Sequence, residues 1–301
     1  MFKFIIPFLP LFLIFGLGYI LKKTGFLSKE IAGFFLKFAM YVALPCLIIP
    51  KVATLPLSLS YAYLPLIAIM MLLVNFFVFF LVTRLVHLPK KKQGVLLISC
   101  MIMNLSFVLP FYLAEAGEEL LPIYVFFNIG HDVLLYTFVY FIASLHGTNK
   151  TYNPLFYGVK KILLLPPFWA LVLGLLFNFT DIAVPSFLGS TMTSLGALLV
   201  PLVLLALGAY FELSLKNPLE IFLVIGARML LGGLLALLFI KLFALDGASR
   251  LIVLLGGIAP LGFNTLVFAS LEDLDKEYAA QLVSVSLLLG LIAIPLVLAF
   301  V

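Results

Sequence analysis

Charge is scarce in this chain. Asp, Glu, Lys and Arg make up 10% of its 301 residues, while 65% are hydrophobic. The mean hydropathy is +1.29. A soluble domain is roughly 45–50% apolar and about 25% charged, so too little polar surface is present to cover a water-facing body, and a soluble enzyme is excluded. Cysteine is scarcer still. Cys46 and Cys100 both lie inside apolar runs, which excludes a disulfide framework and a Cys-based zinc site and leaves them as small buried hydrophobes. Long polar loops are also missing, so no separate soluble domain is expected.

Catalytic signatures are absent as well. The sequence has no G-x-S-x-G, no H-E-x-x-H, no Walker A motif and no Rossmann glycine fingerprint. Gly130-His131-Asp132 is superficially similar to the Gly-x-Gly-Asp of intramembrane aspartyl proteases, but the second glycine is missing and no partner Asp lies in an apolar span. An enzyme is therefore not expected. The net charge of +5 is spread over short clusters without interleaved aromatics, which argues against a nucleic-acid footprint.

What remains is apolar sequence in lengths that suit a bilayer. A spanning helix needs about 20 residues, and hydropathy predicts ten candidate spans near 4–21, 31–50, 62–86, 93–114, 120–145, 162–179, 188–213, 218–243, 250–271 and 278–300. The stretch Phe4 to Leu21 exceeds a signal-peptide core and lacks a small-residue cleavage motif before Lys22 and Lys23, so it reads as an uncleaved first span. The expected class is an all-α, multi-pass membrane protein.

Lys and Arg alternate strongly between loops. After odd-numbered spans stand Lys22, Lys23, Lys29, Arg84, Lys90, Lys91, Lys92, Lys150, Lys160, Lys161, Lys216 and Lys276, against only Lys3, Lys51, Lys241 and Arg250 on the other side. By the positive-inside rule the first set is cytoplasmic and both termini face outward. The acidic loop Glu272, Asp273, Asp275 and Glu277 falls inside and is the weakest point of this topology.

The prolines suggest an internal repeat. Pro45 to Pro110 spans 65 residues and Pro201 to Pro260 spans 59. Gly16-Leu17 and Gly174-Leu175 are 158 apart, close to the 156 and 150 of the proline pairs. Halves with an odd number of spans are inverted, so the expected organisation is a first five-helix repeat over 1–146, a short cytoplasmic linker over 147–158 and a second five-helix repeat over 159–301.

Spans 4 and 9 carry the unusual chemistry. Span 4 contains Asn104, Ser106 and Pro110, and span 9 contains Gly256, Gly257, Pro260, Gly262, Asn264 and Thr265. A mid-span proline removes a backbone donor and crowds the carbonyl four residues earlier, so both helices are expected to break near mid-membrane. Unwound backbone at that depth needs a protein or water partner. The half-helix N-termini then favour an anion, and paired broken spans point to a transporter's site. Asn104, Ser106, Asn264 and Thr265 could add side-chain contacts. The alternative is that the prolines are packing kinks and the asparagines interhelical glue.

Ionisable residues within spans are functional candidates by default. Asp132 is the main proton-carrier candidate, because a carboxyl removed from water favours its neutral form. His131, also a proton-coupling candidate, is its neighbour, but adjacent helical residues point about 100° apart, so only one of the two should face a cavity squarely. Asn128, one turn earlier, could line the same wall. Glu212 and Arg228 sit near the cytoplasmic ends of spans 7 and 8, where an ion pair or interfacial exposure is expected, with Glu212 a secondary proton candidate. Lys37 is expected to snorkel to the inner face. Asn75 has no evident partner.

Several short motifs carry a resemblance. Gly18-Tyr19-Ile20-Leu21-Lys22-Lys23-Thr24-Gly25 followed by Tyr41-Val42-Ala43-Leu44-Pro45 resembles the opening of the auxin efflux carrier family, which includes bacterial malate and malonate permeases. Pro166-Pro167-Phe168-Trp169-Ala170-Leu171, Leu195-Gly196, Pro201-Leu202, Leu207-Gly208-Ala209 and Pro260 with Asn264 are similar to that family's second repeat. The resemblance implies a ten-span inverted-repeat transporter with scaffold and mobile parts, whose fourth and ninth helices cross at prolines, here Pro110 and Pro260. It also implies a small organic anion as substrate, with Asn104 and Asn264 as polar contacts, and a possible homodimer. Met103-Asn104-Leu105-Ser106-Phe107 is bulkier than the glycine-rich stretch common in the family. The short linker fits a compact prokaryotic form in the cytoplasmic membrane.

The expected function is thus secondary transport of a carboxylate by alternating access, without a cofactor and with H+ or Na+ as possible coupling ion. An anion channel or uniporter-like pore is the alternative. A membrane sensor subunit fits less well, since it would ordinarily need a soluble segment.

Overall fold

The computed structural model describes residues 9–56, 59–86, 88–148, 163–164, 166–211 and 217–299. Their elements are α1 Leu9–Lys23, α2 Lys29–Thr54, α3 Tyr63–Leu85, α4 Lys90–Met101, α5 Leu105–Ala116, α6 Glu118–His146, α7 Pro166–Phe179, α8 Ser186–Tyr210, α9 Pro218–Leu242, α10 Gly247–Gly257, α11 Asn264–Leu271 and α12 Lys276–Leu298. Extended structure among the described residues is one isolated antiparallel bridge, Met103 to Leu261. Six helices, α2, α3, α6, α8, α9 and α12, are long and apolar enough to cross a membrane. Glu212 and most of the expected 147–158 linker lie outside the described residues.

Helix boundaries follow local chemistry. Ser28 caps α2 by accepting the Ile31 N–H at 3.2 Å, and Asp275 caps α12 by accepting the Tyr278 N–H at 3.0 Å. Two helices carry a π turn, Ala39–Ala43 in α2 and Leu135–Val139 in α6. The first sits just before Pro45, which has no N–H to give. In the second half Pro201 follows a comparable irregularity, a turn at Ala197–Leu198 inside α8.

Both expected breaks are present, but the first is displaced. Span 4 unwinds at Ile102–Asn104, between α4 and α5, whereas Pro110 lies inside continuous α5. Pro110 therefore does not form the break. It is the sixth residue of α5, where its ring leaves the Ser106 carbonyl without the usual donor. Span 9 unwinds across Ile258–Phe263, and this stretch does include Pro260.

The helices pack as two groups. In one, α1 lies along the second half of α8 and α7 lies along the second half of α2. The α1–α8 contact depends on glycine: a Cβ on Gly208 would stand 2.0 Å from the Phe15 carbonyl oxygen. Asn178 of α7 donates from Nδ2 to the carbonyls of Val52, Ala53 and Leu55 at 2.8–3.1 Å, closing the C-terminal end of α2. In the other group α3 packs on α6 and α4, α9 packs on α10, and α12 packs on α11 and α4. Large apolar side chains such as Leu13, Phe77, Leu230 and Leu234 point outward and exposed, as lipid-facing surfaces do.

Ion pairs tie the loops together at the helix ends. Lys51 pairs with Glu119, Lys91 with Asp273 and Lys92 with Glu220. Each pair joins loops that the alternation of charge assigns to one side.

Candidate solute site at the helix breaks

The unwound segments satisfy each other. Gly262 N–H donates to the Ile102 carbonyl and Asn104 N–H to the Pro260 carbonyl, both at 2.9 Å. Approach this close needs glycine, since a Cβ on Gly262 would lie 2.2 Å from Ile102 Cγ2. The two central N–H groups point away from the bridge and find side chains. Met103 N–H donates to His131 Nε2 at 3.2 Å, and Leu261 N–H donates to Ser286 Oγ at 3.0 Å. The Ser286 hydroxyl in turn donates a hydrogen bond to the Val283 carbonyl at 2.8 Å. Buried backbone is thus paired at the crossing, as membrane depth demands.

Asn104 starts α5. Its Oδ1 accepts the Phe107 N–H at 3.2 Å and its Nδ2 donates to the Leu261 carbonyl at 3.4 Å, so this side chain both caps a half-helix and holds the opposite segment. Asn264 stands at the first position of α11.

A cavity of about 320 Å³ opens between the two helix groups at this point. One wall comes from α2 and α8, with Lys37, Tyr41, Val203, Leu207 and Tyr210 among its residues. The facing wall comes from the crossing and α6, with Asn104, Ser106, Asn264, Asn128, His131 and Asp132. Tyr136 of the α6 π turn also lines it, as do Met40 and Tyr41 of the α2 π turn; such turns often mark functional positions. Of the residues singled out above, the cavity brings together Asn104, Ser106, Asn264, His131 and Asp132. Pro110, Pro260 and Thr265 lie behind its lining, and the buried Thr265 Oγ1 has no hydrogen-bond partner among the described residues, for which the structure offers no reason.

His131 and Asp132 both line the cavity, with the Asp132 side chain the more exposed of the two. A linked set of hydrogen bonds joins them. Since His131 Nε2 accepts the Met103 N–H, the ring proton resides on Nδ1 and is donated to Asp132 Oδ1 at 3.1 Å. Asn128 Nδ2 donates to Asp132 Oδ2 at 2.8 Å. The carboxylate is thereby held by two donors, while His131 joins it to the backbone of the break.

Three residues hold places that the sequence alone does not give. Lys37 is exposed and is also among the residues that line the cavity, with no carboxylate partner among the described residues. Arg228 is not interfacial, and it has no ion-pair partner among the described residues. It is fully buried, and Nη1 donates to the Gly257 and Ala259 carbonyls at 2.8 and 2.6 Å. Ser286 carries no motif of its own, although it lies 155 residues after His131, within the spread of the repeat offsets. Asn75 donates to the Met71 carbonyl of its own helix at 2.8 Å. Among the described residues no group of three or more His, Cys, Asp or Glu could hold a metal ion.

The sequence profile of the membrane transport protein family, that of the auxin efflux carriers, matches residues 3–298. The chain belongs to this family. It is 25% identical over 285 residues to an uncharacterized transporter of Methanothermobacter thermautotrophicus, covering 93% of this chain and 92% of that one. It is 26% identical over 298 residues to an uncharacterized transporter of Methanocaldococcus jannaschii, again covering 93% and 92%. As an auxin efflux carrier family member, the chain is a multi-pass membrane transport protein, and its polar cavity is the natural candidate for the solute site.

Proposed function

We propose that this carrier family member is a secondary transporter of a small carboxylate, working by alternating access about the paired helix breaks. The observation that carries the reading is the cavity itself: it lies between two separately packed helix groups and ends on the crossing. Relative movement of such groups is how one site meets two sides in turn. Lys37, the N-terminal ends of α5 and α11, and the amides of Asn104 and Asn264 offer an anion positive potential and donors.

The packing supports ten crossings in two inverted halves, with α4–α5 and α10–α11 each counting as one broken span. The α1–α8 contact is matched by the α7–α2 contact, and α3–α4 by α9–α10. The acceptors His131 and Ser286 sit at matching places in α6 and α12, each serving the N–H of a central bridge residue. In the charge-derived topology, the wall formed by residues 33–44 and 199–210 belongs to the cytoplasmic halves of α2 and α8. The cavity would then be open inward, with both termini outside the cell membrane.

Asp132 is the proposed proton carrier, because it is the carboxylate that shares the cavity with the solute site. Titratable groups sharing that space are Lys37 and Tyr41 of α2, Tyr124, His131 and Tyr136 of α6, and Tyr210 of α8. Protonating Asp132 as the anion binds would remove a like charge from its surroundings. The test is a thermal-shift screen of purified protein against small mono- and dicarboxylates at two pH values, with and without sodium. A stabilising carboxylate whose effect grows at lower pH and ignores sodium is expected. Stabilisation only by cationic or neutral solutes would reject the reading.

A further inference from the structure

Arg228 carries a charge that no carboxylate among the described residues neutralises. It is fully buried in the middle of α9, no carboxylate pairs with it among the described residues, and its Nε and Nη2 have no hydrogen-bond partner there. An uncompensated buried cation costs several kcal/mol in order of magnitude, and removing such a group in favour of an apolar one is often stabilising. Stability alone is therefore a poor reason for an arginine at this place.

Its one set of contacts shows where the charge acts. Nη1 holds the carbonyls of Gly257 and Ala259, the end of α10 and the start of the unwound stretch. The next residue, Pro260, accepts the Asn104 N–H, and Gly262 and Asn264 line the cavity. Four half-helix ends meet at this crossing, two N-termini worth about +0.5 charge each and two C-termini worth about −0.5 each. These nearly cancel, so the crossing alone has little preference for charge. Among the described residues no cationic side chain bonds the C-terminal end of α4, whose Ile102 carbonyl accepts the Gly262 N–H.

We infer that Arg228 is the charge-selecting residue of the transporter, a positioning group that makes the crossing attractive to anions without touching the solute. By covering the negative end of α10 it leaves the two positive N-terminal ends of α5 and α11 opposed only by the C-terminal end of α4. Together with Lys37 it outweighs Asp132 in the same region. This deepens the proposed function, since it rests on the cavity being the anion's site.

The test reads local potential directly and needs no transported solute. In a Cys46→Ser background, with Cys100 fully buried, Ser106→Cys places a reporter thiol in the cavity lining. Its rates with sulfonatoethyl and trimethylammonioethyl methanethiosulfonate are compared with those of free cysteine. The anionic reagent should be favoured relative to free cysteine. R228Q, which keeps an amide donor for the two carbonyls but removes the charge, should lower the anionic-to-cationic ratio by roughly tenfold, and R228K should preserve it. K37Q serves as the control for the other cation and should leave most of the R228Q effect in place. An unchanged ratio in well-folded R228Q overturns the inference. If R228Q is not recovered as a monodisperse species, a ratio with Arg228 intact at or below that of free cysteine overturns it, and a higher ratio retained by R228K supports it. Because labelling is independent of transport, a failed carboxylate screen with an intact ratio counts against the proposed function alone.

Discussion

His131 on α6 and Ser286 on α12 each supply the side-chain acceptor for a central N–H of the crossing. Met103 depends on the first and Leu261 on the second. The two acceptors differ in chemistry. Serine offers a hydroxyl oxygen and histidine a ring nitrogen, and only the histidine is hydrogen-bonded to a carboxylate, that of Asp132.

Removal of the Ser286 hydroxyl leaves the Leu261 N–H buried and unsatisfied. Ser286→Ala should cost about 1–3 kcal/mol and lower the midpoint of thermal unfolding in detergent. Ser286→Thr, which keeps the hydroxyl, should recover part of the loss. An unshifted midpoint in the alanine variant would show that the bond contributes nothing.

The Asp132 carboxylate accepts from Asn128 and His131 and shares the cavity with the proposed solute. Asp132→Asn should abolish accumulation driven by an inward proton gradient while sparing exchange of solute for solute. Proton-driven uptake by this variant at the wild-type level would remove Asp132 from the coupling role.

Asn104 and Asn264 should separate in stability. Asn104 caps α5 through the Phe107 N–H, so Asn104→Ala should destabilise the protein by about 0.5–2 kcal/mol. Asn104→Asp, which retains a capping oxygen, should restore thermal stability but place a repelling charge against an anion. Calorimetry or fluorescence-monitored unfolding decides the first point, and uptake the second.

The loop between α11 and α12 offers a pH test outside the spans. Lys91 and Thr148 donate to the Asp273 carboxylate, and this holds its pKa below the ordinary aspartate value. A carboxylate depressed in the folded state contributes stability above its unfolded pKa and loses it as pH falls through the folded one. The Tm difference between wild type and Asp273→Asn should therefore be full near neutrality and shrink below the ordinary aspartate pKa. A difference constant down to strongly acidic pH would mean that the charge is not what ties the loop to Lys91. The carboxylate is exposed, so the effect is small.

Much of this architecture is legible in the sequence because a bilayer imposes one dominant signal. Six of the apolar runs form helices long enough to cross a membrane, and the second mid-span break lies at Pro260 among glycines, as its sequence suggests. The location of the first break is less accessible. Pro110 is the visible disruptor, yet α5 already begins at Leu105, because an asparagine at 104 can cap a helix and a bridge to Leu261 can satisfy the freed backbone. Only the partner segment makes that visible. The place of Arg228 is hidden for a related reason: a charge in a span is usually resolved by a carboxylate or an interface, and here it is met by backbone carbonyls 29 and 31 residues away. Lys37 faces the cavity because α8 packs on α2, a long-range contact that local hydropathy does not encode.

The most direct measurement is counterflow of a radiolabelled carboxylate, the one that stabilises the protein most, in proteoliposomes holding wild type or Asn264→Ala. Wild type should show saturable, trans-stimulated uptake, and the variant should lose at least about tenfold of it, or roughly 1.4 kcal/mol, while unfolding at an unchanged temperature. Full counterflow by Asn264→Ala, or flux in the wild type that neither saturates nor responds to trans solute, would contradict a carrier whose site is the crossing.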